Sequence, residues 1–236
     1  MGINEKTGEV FSVVAENAPV AGCTVSKAVA EVGGGYVAHF SLAEETDISA
    51  ETYSAPKVWL IASGSGAAFT SDGREWPLKA GDAFTIVTGV PIGVKSADGL
   101  VYTEMEFGKE MKMNKILEAG KAFALKDVLP YAEGRIVNMD LASSPNMKFV
   151  LMSFDAGTGL SEHSAPGDAL IFALDGEATI GYDGAEHVIK AGENFKFAKN
   201  GRHWVKANGR FKMALLMVID RQTPISPKSQ HSSRRC

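Results

Sequence analysis

The sequence is short of the residues that staple, anchor or steer a small protein. Of its 236 residues only two are cysteine, Cys23 and Cys236. That is too few for a disulfide framework, so the expectation is a reducing compartment, with Cys236 an exposed free thiol. There is no basic excess: formal net charge is −4, which is not the footprint of a nucleic-acid binder. Long apolar runs are missing too. Ala169–Leu174 and Met213–Ile219 fall well short of the roughly 20 residues that span a bilayer. The first residues show no basic region followed by an apolar stretch, so a soluble cytoplasmic chain without membrane contact is expected. No Ser-His-Asp motif of recognisable context and no pair of CxxC motifs is present. The glycine clusters Gly33-Gly34-Gly35 and Gly64-Ser65-Gly66 do not lead from a strand into a helix, as a phosphate loop requires.

What is present is apolar material and glycine. Hydrophobic residues make up 45% of the chain, enough for a core and incompatible with global disorder. The 25 glycines stand against 3 tryptophans and 5 tyrosines, which points to many tight turns between many short strands. Charge is unevenly placed. Residues 221–236 carry Arg221, Lys228, Arg234, Arg235 and no acid, a +4 tail on a body of −8. Its Pro, Ser and Arg content reads as a disordered basic terminus.

The chain repeats itself. Asp72-Gly73-Arg74-Glu75-Trp76-Pro77-Leu78-Lys79-Ala80-Gly81 matches Asp183-Gly184-Ala185-Glu186-His187-Val188-Ile189-Lys190-Ala191-Gly192 at an offset of 111. Tyr36–Leu42 matches Lys148–Phe154, and Gly64 matches Gly176, at 112. A period near 110 residues is the size of a small domain, not of a solenoid unit. Two copies of one fold are therefore expected, at residues 8–108 and 127–220, joined by a linker at 109–126 in which Asn114 is placed to cap a short helix. Within each copy the short segments between Gly and Asp-Gly turns are strand-like, so the fold class is all-β, a sandwich or barrel in each half.

Residues Gly157 to Gly176 resemble the first signature of the cupins, and Gly192 to His203 resemble the second. The resemblance extends through the repeat to the first half, giving a bicupin similar to small bacterial conserved-barrel cupins. It implies two double-stranded β-helix (jelly-roll) barrels in tandem, which form an internal pseudo-dimer within a monomer. It also implies a divalent first-row metal (Mn, Fe, Ni, Cu or Zn) held by two histidines and a glutamate of the first signature and a histidine of the second. Here His163 and His203 fill the first and last positions, as metal ligands or acid/base groups. Ala165 and Ala169 stand at the other two. Asp168 adjoins Ala169, and a bend at Pro166-Gly167 could turn it toward a ligand. Two imidazoles are a thin metal site, so an apo cavity that binds an anion or water network is the competing reading.

Carrying the register back places Glu51 opposite His163, Tyr53 opposite Ala165, Lys57 opposite Ala169 and Ile92 opposite His203. The first barrel thus keeps no ligand histidine and reads as degenerate at the metal site. Glu51, Tyr53 and Lys57 share one strand parity, so all three can face inward. A buried lysine needs a partner, and Glu51 is the candidate, with a carboxylated ligand as the other. Trp59 and Phe69 read as packing. His39 has no carboxylate at strand spacing and reads as a satisfied core or surface histidine. The functional expectation is a bicupin that binds a small polar or carboxylated metabolite in the C-terminal barrel. With a metal it would be an isomerase, decarboxylase or oxygenase; the alternative is a metal-free binding or sensing protein. A scaffold role for the basic tail is a third reading.

Overall fold

A computed structural model describes residues 2–108 and 110–220, together with the backbone of Arg234–Arg235. The readings of a disordered tail and of Cys236 as a free thiol lie outside these residues. Cys23 itself is buried and is not a free thiol. Among the described residues no helix is long and apolar enough to cross a membrane.

Each half is a jelly-roll barrel. In the first, one sheet runs through Thr24–Val32, Gly35–Leu42, Leu100–Glu106, Lys57–Ser63 and Asp82–Thr85, and the facing sheet through Asp47–Thr52, Pro91–Ser96, Ser65–Thr70 and Glu75–Lys79. In the second, long strands at Asp168–Tyr182 and Arg202–Val218 pass through both faces. The register agrees with the sequence repeat. Leu42 pairs with Leu100 and Phe154 with Phe211, while Glu51 pairs with Ile92 and His163 with His203.

Gly64 and Gly176 recur for a steric reason. Both have positive φ, and a Cβ there would sit 1.5 Å from the Gly99 carbonyl oxygen or 1.8 Å from that of Arg210. Only glycine lets the bending strand lie this close to its neighbour.

Strand alternation sorts the side chains into three clusters. Odd positions of Lys57–Ser63 face the barrel interior with Tyr102, Phe84 and Leu78. Even positions Val58 and Leu60 face the other barrel, where they join Val37, Val101, Met105, Phe149, Leu151, Leu170, Leu216 and Val218 in a shared apolar interface. The second barrel has its own interior cluster, with Phe154, Phe195, Phe197 and Phe211.

The linker differs from expectation. Among its described residues there is no α-helix, only the short strands Lys112–Met113 and Ala122–Ala124 and a 3-10 turn at Leu125–Asp127. Asn114 closes a local turn by accepting the Ile116 N–H at 3.1 Å. The sheets override the local capping signal because Ala122–Ala124 adds to Asp82–Thr85 of the first barrel. Conversely, Val10–Phe11, ahead of the first barrel, adds to Asn194–Phe197 of the second. The two strands are themselves repeat mates, Gly8-Glu9-Val10-Phe11 and Gly120-Lys121-Ala122-Phe123, with φ of 77° and 72° at the glycines. The two barrels thus exchange edge strands.

The exchanged N-terminal arm is pinned by polar contacts. Asp168 accepts the N–H of Ile3 and of Lys199, both at 2.8 Å. Glu5 accepts Lys27 at 2.8 Å, and its other oxygen lies 3.4 Å from His39 Nε2, while His39 Nδ1 meets the Thr103 hydroxyl at 2.9 Å. His39 is therefore a core histidine, as expected, but only its Nδ1 is hydrogen-bonded, and Nε2 lies beside Glu5 without a hydrogen bond. Its carboxylate comes from the arm, 34 residues away, which strand spacing could not reveal.

The close approach at the recurrent glycine is testable. Gly176→Ala is expected to cost about 3 kcal/mol or more in urea unfolding, because strain at positive φ adds to a backbone clash. Gly184→Ala, also at positive φ but with nothing within 4 Å of the new Cβ, is expected to cost about 1 kcal/mol. Equal losses for the two variants would remove the steric argument.

Candidate functional site

The inward face of the first barrel encloses a cavity of about 390 Å³. Its floor is polar. Lys57, only 7% exposed, donates to Glu104 Oε1 at 2.9 Å and to the Tyr36 hydroxyl oxygen. Trp59 Nε1 donates to Glu104 Oε2 at 2.6 Å, and the Tyr36 hydroxyl donates to Glu104 Oε1. One buried carboxylate thus takes three donors. The ammonium also lies 4.1 Å from the Tyr53 ring centroid and 4.9 Å from that of Tyr36, a favourable placement over two π faces. Glu106, the cross-strand neighbour of Lys57, reaches to 3.9 Å. Burial pushes the Glu106 carboxyl up, with Lys57 opposing and Glu104 reinforcing the shift.

The walls are aromatic and mutually braced. Phe40 and Tyr102 stack at 5.1 Å and 7°, and Trp59 packs on Tyr102 at 5.2 Å. Burial, reinforced by the Glu104 charge, raises the phenol pKa of Tyr36 and Tyr102 far above its ordinary value and pushes Tyr53 up to about 12. All three phenols stay protonated at neutral pH and so remain hydrogen-bond donors.

Glu51, Tyr53 and Lys57 all line this cavity, as their common parity implied. The partner of Lys57 is not Glu51, however. Glu51 lies exposed on the strand Asp47–Thr52, while Glu104 sits directly across the sheet from Trp59. Trp59 packs in the core, as expected, and also donates to that carboxylate. Tyr36, Tyr102 and Glu104 escaped sequence reasoning. Their signal was parity: Tyr102 and Glu104 alternate inward on Leu100–Glu106, and only the strand order brings them to Lys57.

The repeat mates of Lys57, Trp59, Tyr102 and Glu104 are apolar. Ala169 stands opposite Lys57, Ile171 opposite Trp59, Met213 opposite Tyr102 and Leu215 opposite Glu104, as the two sets of strand pairings show. Ala169, Ile171 and Met213 are buried in the packed interior of the second barrel. His163 and His203 are cross-strand partners with ring centroids 4.3 Å apart. His203 is buried and stacks on Phe197 at 3.9 Å and 14°, whereas His163 is exposed. Each Nδ1 faces a backbone carbonyl, Ser161 O at 2.8 Å and Gly201 O at 2.9 Å. Burial lowers the His203 pKa, and the nearby His163 lowers it further, against the raising effect of the Gly201 carbonyl.

This donor set does not fit a first-row metal centre, which usually draws on three or more protein ligands. Ala165 and Ala169 supply none. Among the described residues no three His, Cys, Asp or Glu side chains are grouped to hold an ion. Asp168 is engaged instead by the arm and lies 3.4 Å from Lys196.

A family model described as "Cupin domain" matches residues 150–219. A solved structure, "Cupin 2 conserved barrel domain protein from Leptotrichia buccalis", is 28% identical with a TM-score of 0.80, and the match covers 92% of this chain and 100% of that one. Residues 150–219 thus match a cupin domain, and the chain as a whole has the cupin barrel fold. Two further solved structures share only the fold. Protein Ylba from E. coli is 11% identical with a TM-score of 0.58, covering 94% of this chain and 96% of that one. Salicylate 1,2-dioxygenase from Pseudaminobacter salicylatoxidans is 11% identical with a TM-score of 0.57, covering 82% and 76%. No curated protein matches the sequence significantly.

The buried histidines of this chain give a pH prediction. Burial, opposed by Glu5, also lowers His39. Groups held low in the folded state stabilise it above the ordinary histidine value near 6.5 and lose that contribution as pH falls through their own lowered values. The thermal midpoint at pH 5 is therefore expected below that at pH 7.5. In an NMR titration His203 should titrate below the ordinary value and move upward in His163→Ala. An unmoved His203 would contradict the pairing.

Proposed function

We propose that this protein binds a small, flat, polar molecule in the cavity of its N-terminal barrel. One observation carries the reading. The second barrel folds around the same strands with Ala169, Ile171 and Leu215 where the first has Lys57, Trp59 and Glu104. The ion pair is therefore not a requirement of the fold. A buried ion pair with an apolar alternative of this kind is weak support for stability, so its retention beside a cavity points to a ligand. The volume suits a small ligand. The Tyr53 hydroxyl can hydrogen-bond a polar group, while the half-buried Phe40 ring offers area to a planar body. The carboxylate-anchor role expected of Lys57 is taken up internally by Glu104. The site reading thereby moves from the C-terminal barrel to the N-terminal one.

A second reading rests on the His163–His203 pair, whose Nδ1 contacts leave both Nε2 atoms free for acid/base work or a weakly held ion. It predicts that metal bound by purified protein is lost in His163→Ala/His203→Ala. The favoured reading predicts ligand binding that is indifferent to both substitutions and to chelator.

The favoured reading is tested by grafting the second barrel's residues into the first. Benzyl alcohol serves as a flat neutral probe, with binding followed by Trp fluorescence and protein NMR. Lys57→Ala/Glu104→Leu is expected to fold and to weaken probe binding at least tenfold. Glu104→Leu alone is expected to lose about 3–5 kcal/mol of stability, because it strands a buried ammonium. Unchanged probe binding by the folded double variant would overturn the assignment.

A further inference from the structure

The two cysteines lie 213 positions apart, yet strand register draws them to one place. Cys23 is 4% exposed and its sulfur is disulfide-bonded. The chain holds one other cysteine, Cys236. Cys23 stands just ahead of the strand Thr24–Val32. Its carbonyl accepts the Ala43 N–H at 3.1 Å, so the ladder that sets Thr24 against Leu42 continues through it. Along the other edge of this strand the backbone of Arg234–Arg235 runs antiparallel, with Thr24 opposite Arg235 and Val25 opposite Arg234. One further step of the same register is Cys23 and position 236. Directly opposed residues of an antiparallel pair have Cα atoms about 4.5–5.5 Å apart, within the span that a disulfide bridges.

We propose that Cys23 and Cys236 form an intrachain disulfide that fastens the strand Arg234–Arg235 to the first barrel and makes this sheet edge redox-sensitive. Without that strand Thr24–Val32 would end its sheet, and an open edge is a template for pairing with another chain. Two cross-strand pairs alone hold a chain segment weakly. A covalent bond one residue further makes the pairing intramolecular, at high effective concentration. The edge also adjoins the cavity, because Thr24 and Val25 are among its lining residues. The bond itself does not depend on what the cavity binds. It forms by exchange with a low-molecular-weight disulfide such as glutathione disulfide. Two protein thiols and one such disulfide give the protein disulfide and two released thiols, each of which takes up one thiol proton. The cysteine sulfurs are oxidised and the glutathione sulfurs reduced.

The test uses the full chain, equilibrated with mixtures of reduced and oxidised glutathione, quenched, and alkylated under denaturing conditions for mass spectrometry. In oxidised glutathione neither cysteine should be alkylated, and digestion should yield a peptide pair joined through Cys23 and Cys236. After reduction with dithiothreitol both should be alkylated. The oxidised chain is expected to melt about 5–10 °C above the reduced chain. Cys236→Ser should melt with the reduced chain and ignore the reductant. Hydrogen exchange in Thr24–Val25 should quicken about tenfold on reduction, as local opening becomes easier. Free thiols throughout the glutathione series, glutathione adducts in place of the cross-link, or a disulfide-linked dimer on a non-reducing gel would each overturn the pairing. Equal melting points and equal exchange in the two redox states would overturn the fastening role.

Discussion

The two barrels are pressed back to back, and this leaves the strands they share buried on both faces. Lys57–Ser63 presents Val58 and Leu60 to the neighbouring barrel and Lys57, Trp59 and Ile61 to its own interior. On such a strand no side chain can turn to water, so each polar group must find a partner on a neighbouring strand or cost several kcal/mol. The buried polar groups follow from this constraint. Facing inward, Glu104 takes Lys57, Tyr36 and Trp59; facing outward, His39 takes Thr103 and lies beside Glu5 of the exchanged arm. The arm is thus both a strand of the second barrel and the carrier of a counter-charge for the first.

The second copy shows what the first would look like with an apolar interior. Equivalent strands, turns and recurrent glycines support an interior of Ala, Ile, Met, Leu and Phe. Its two motif histidines remain at one end of that packed interior, with alanines at the other two ligand positions. A polar interior in one barrel and an apolar one in the other is the arrangement expected of a duplicated fold in which one copy keeps a cavity and the other serves as a packed support.

Much of the fold was legible because it depends on local periods. The repeat at 111–112 residues, the Asp-Gly turns, Gly64 with Gly176, and the shared parity of Glu51, Tyr53 and Lys57 are one-dimensional patterns, and the pairings reproduce them. The linker helix was misread because Asn114 capping competes with sheet addition by Ala122–Ala124, and a sheet edge is a long-range partner that no local window contains. The Gly-x-x-Phe motif shared by residues 8–11 and 120–123 was available as a signal for the exchanged strands. Pairing Lys57 with Glu51 failed for a related reason: the two are near in sequence, but the cross-strand neighbour of Trp59 is Glu104.

The sequence by itself determined two jelly-roll barrels, their register, the positions of the tight turns and the loss of two metal-ligand positions around His163 and His203. The register and the turns follow from spacing and residue type, while the jelly-roll form and the lost ligand positions follow from the resemblance to the cupins. Only the tertiary structure decided which barrel is hollow, which carboxylate neutralises Lys57 and which edge strands cross over. Each of these depends on contacts across a closed sheet, where residues tens of positions apart become neighbours and the cost of a buried charge selects the partner.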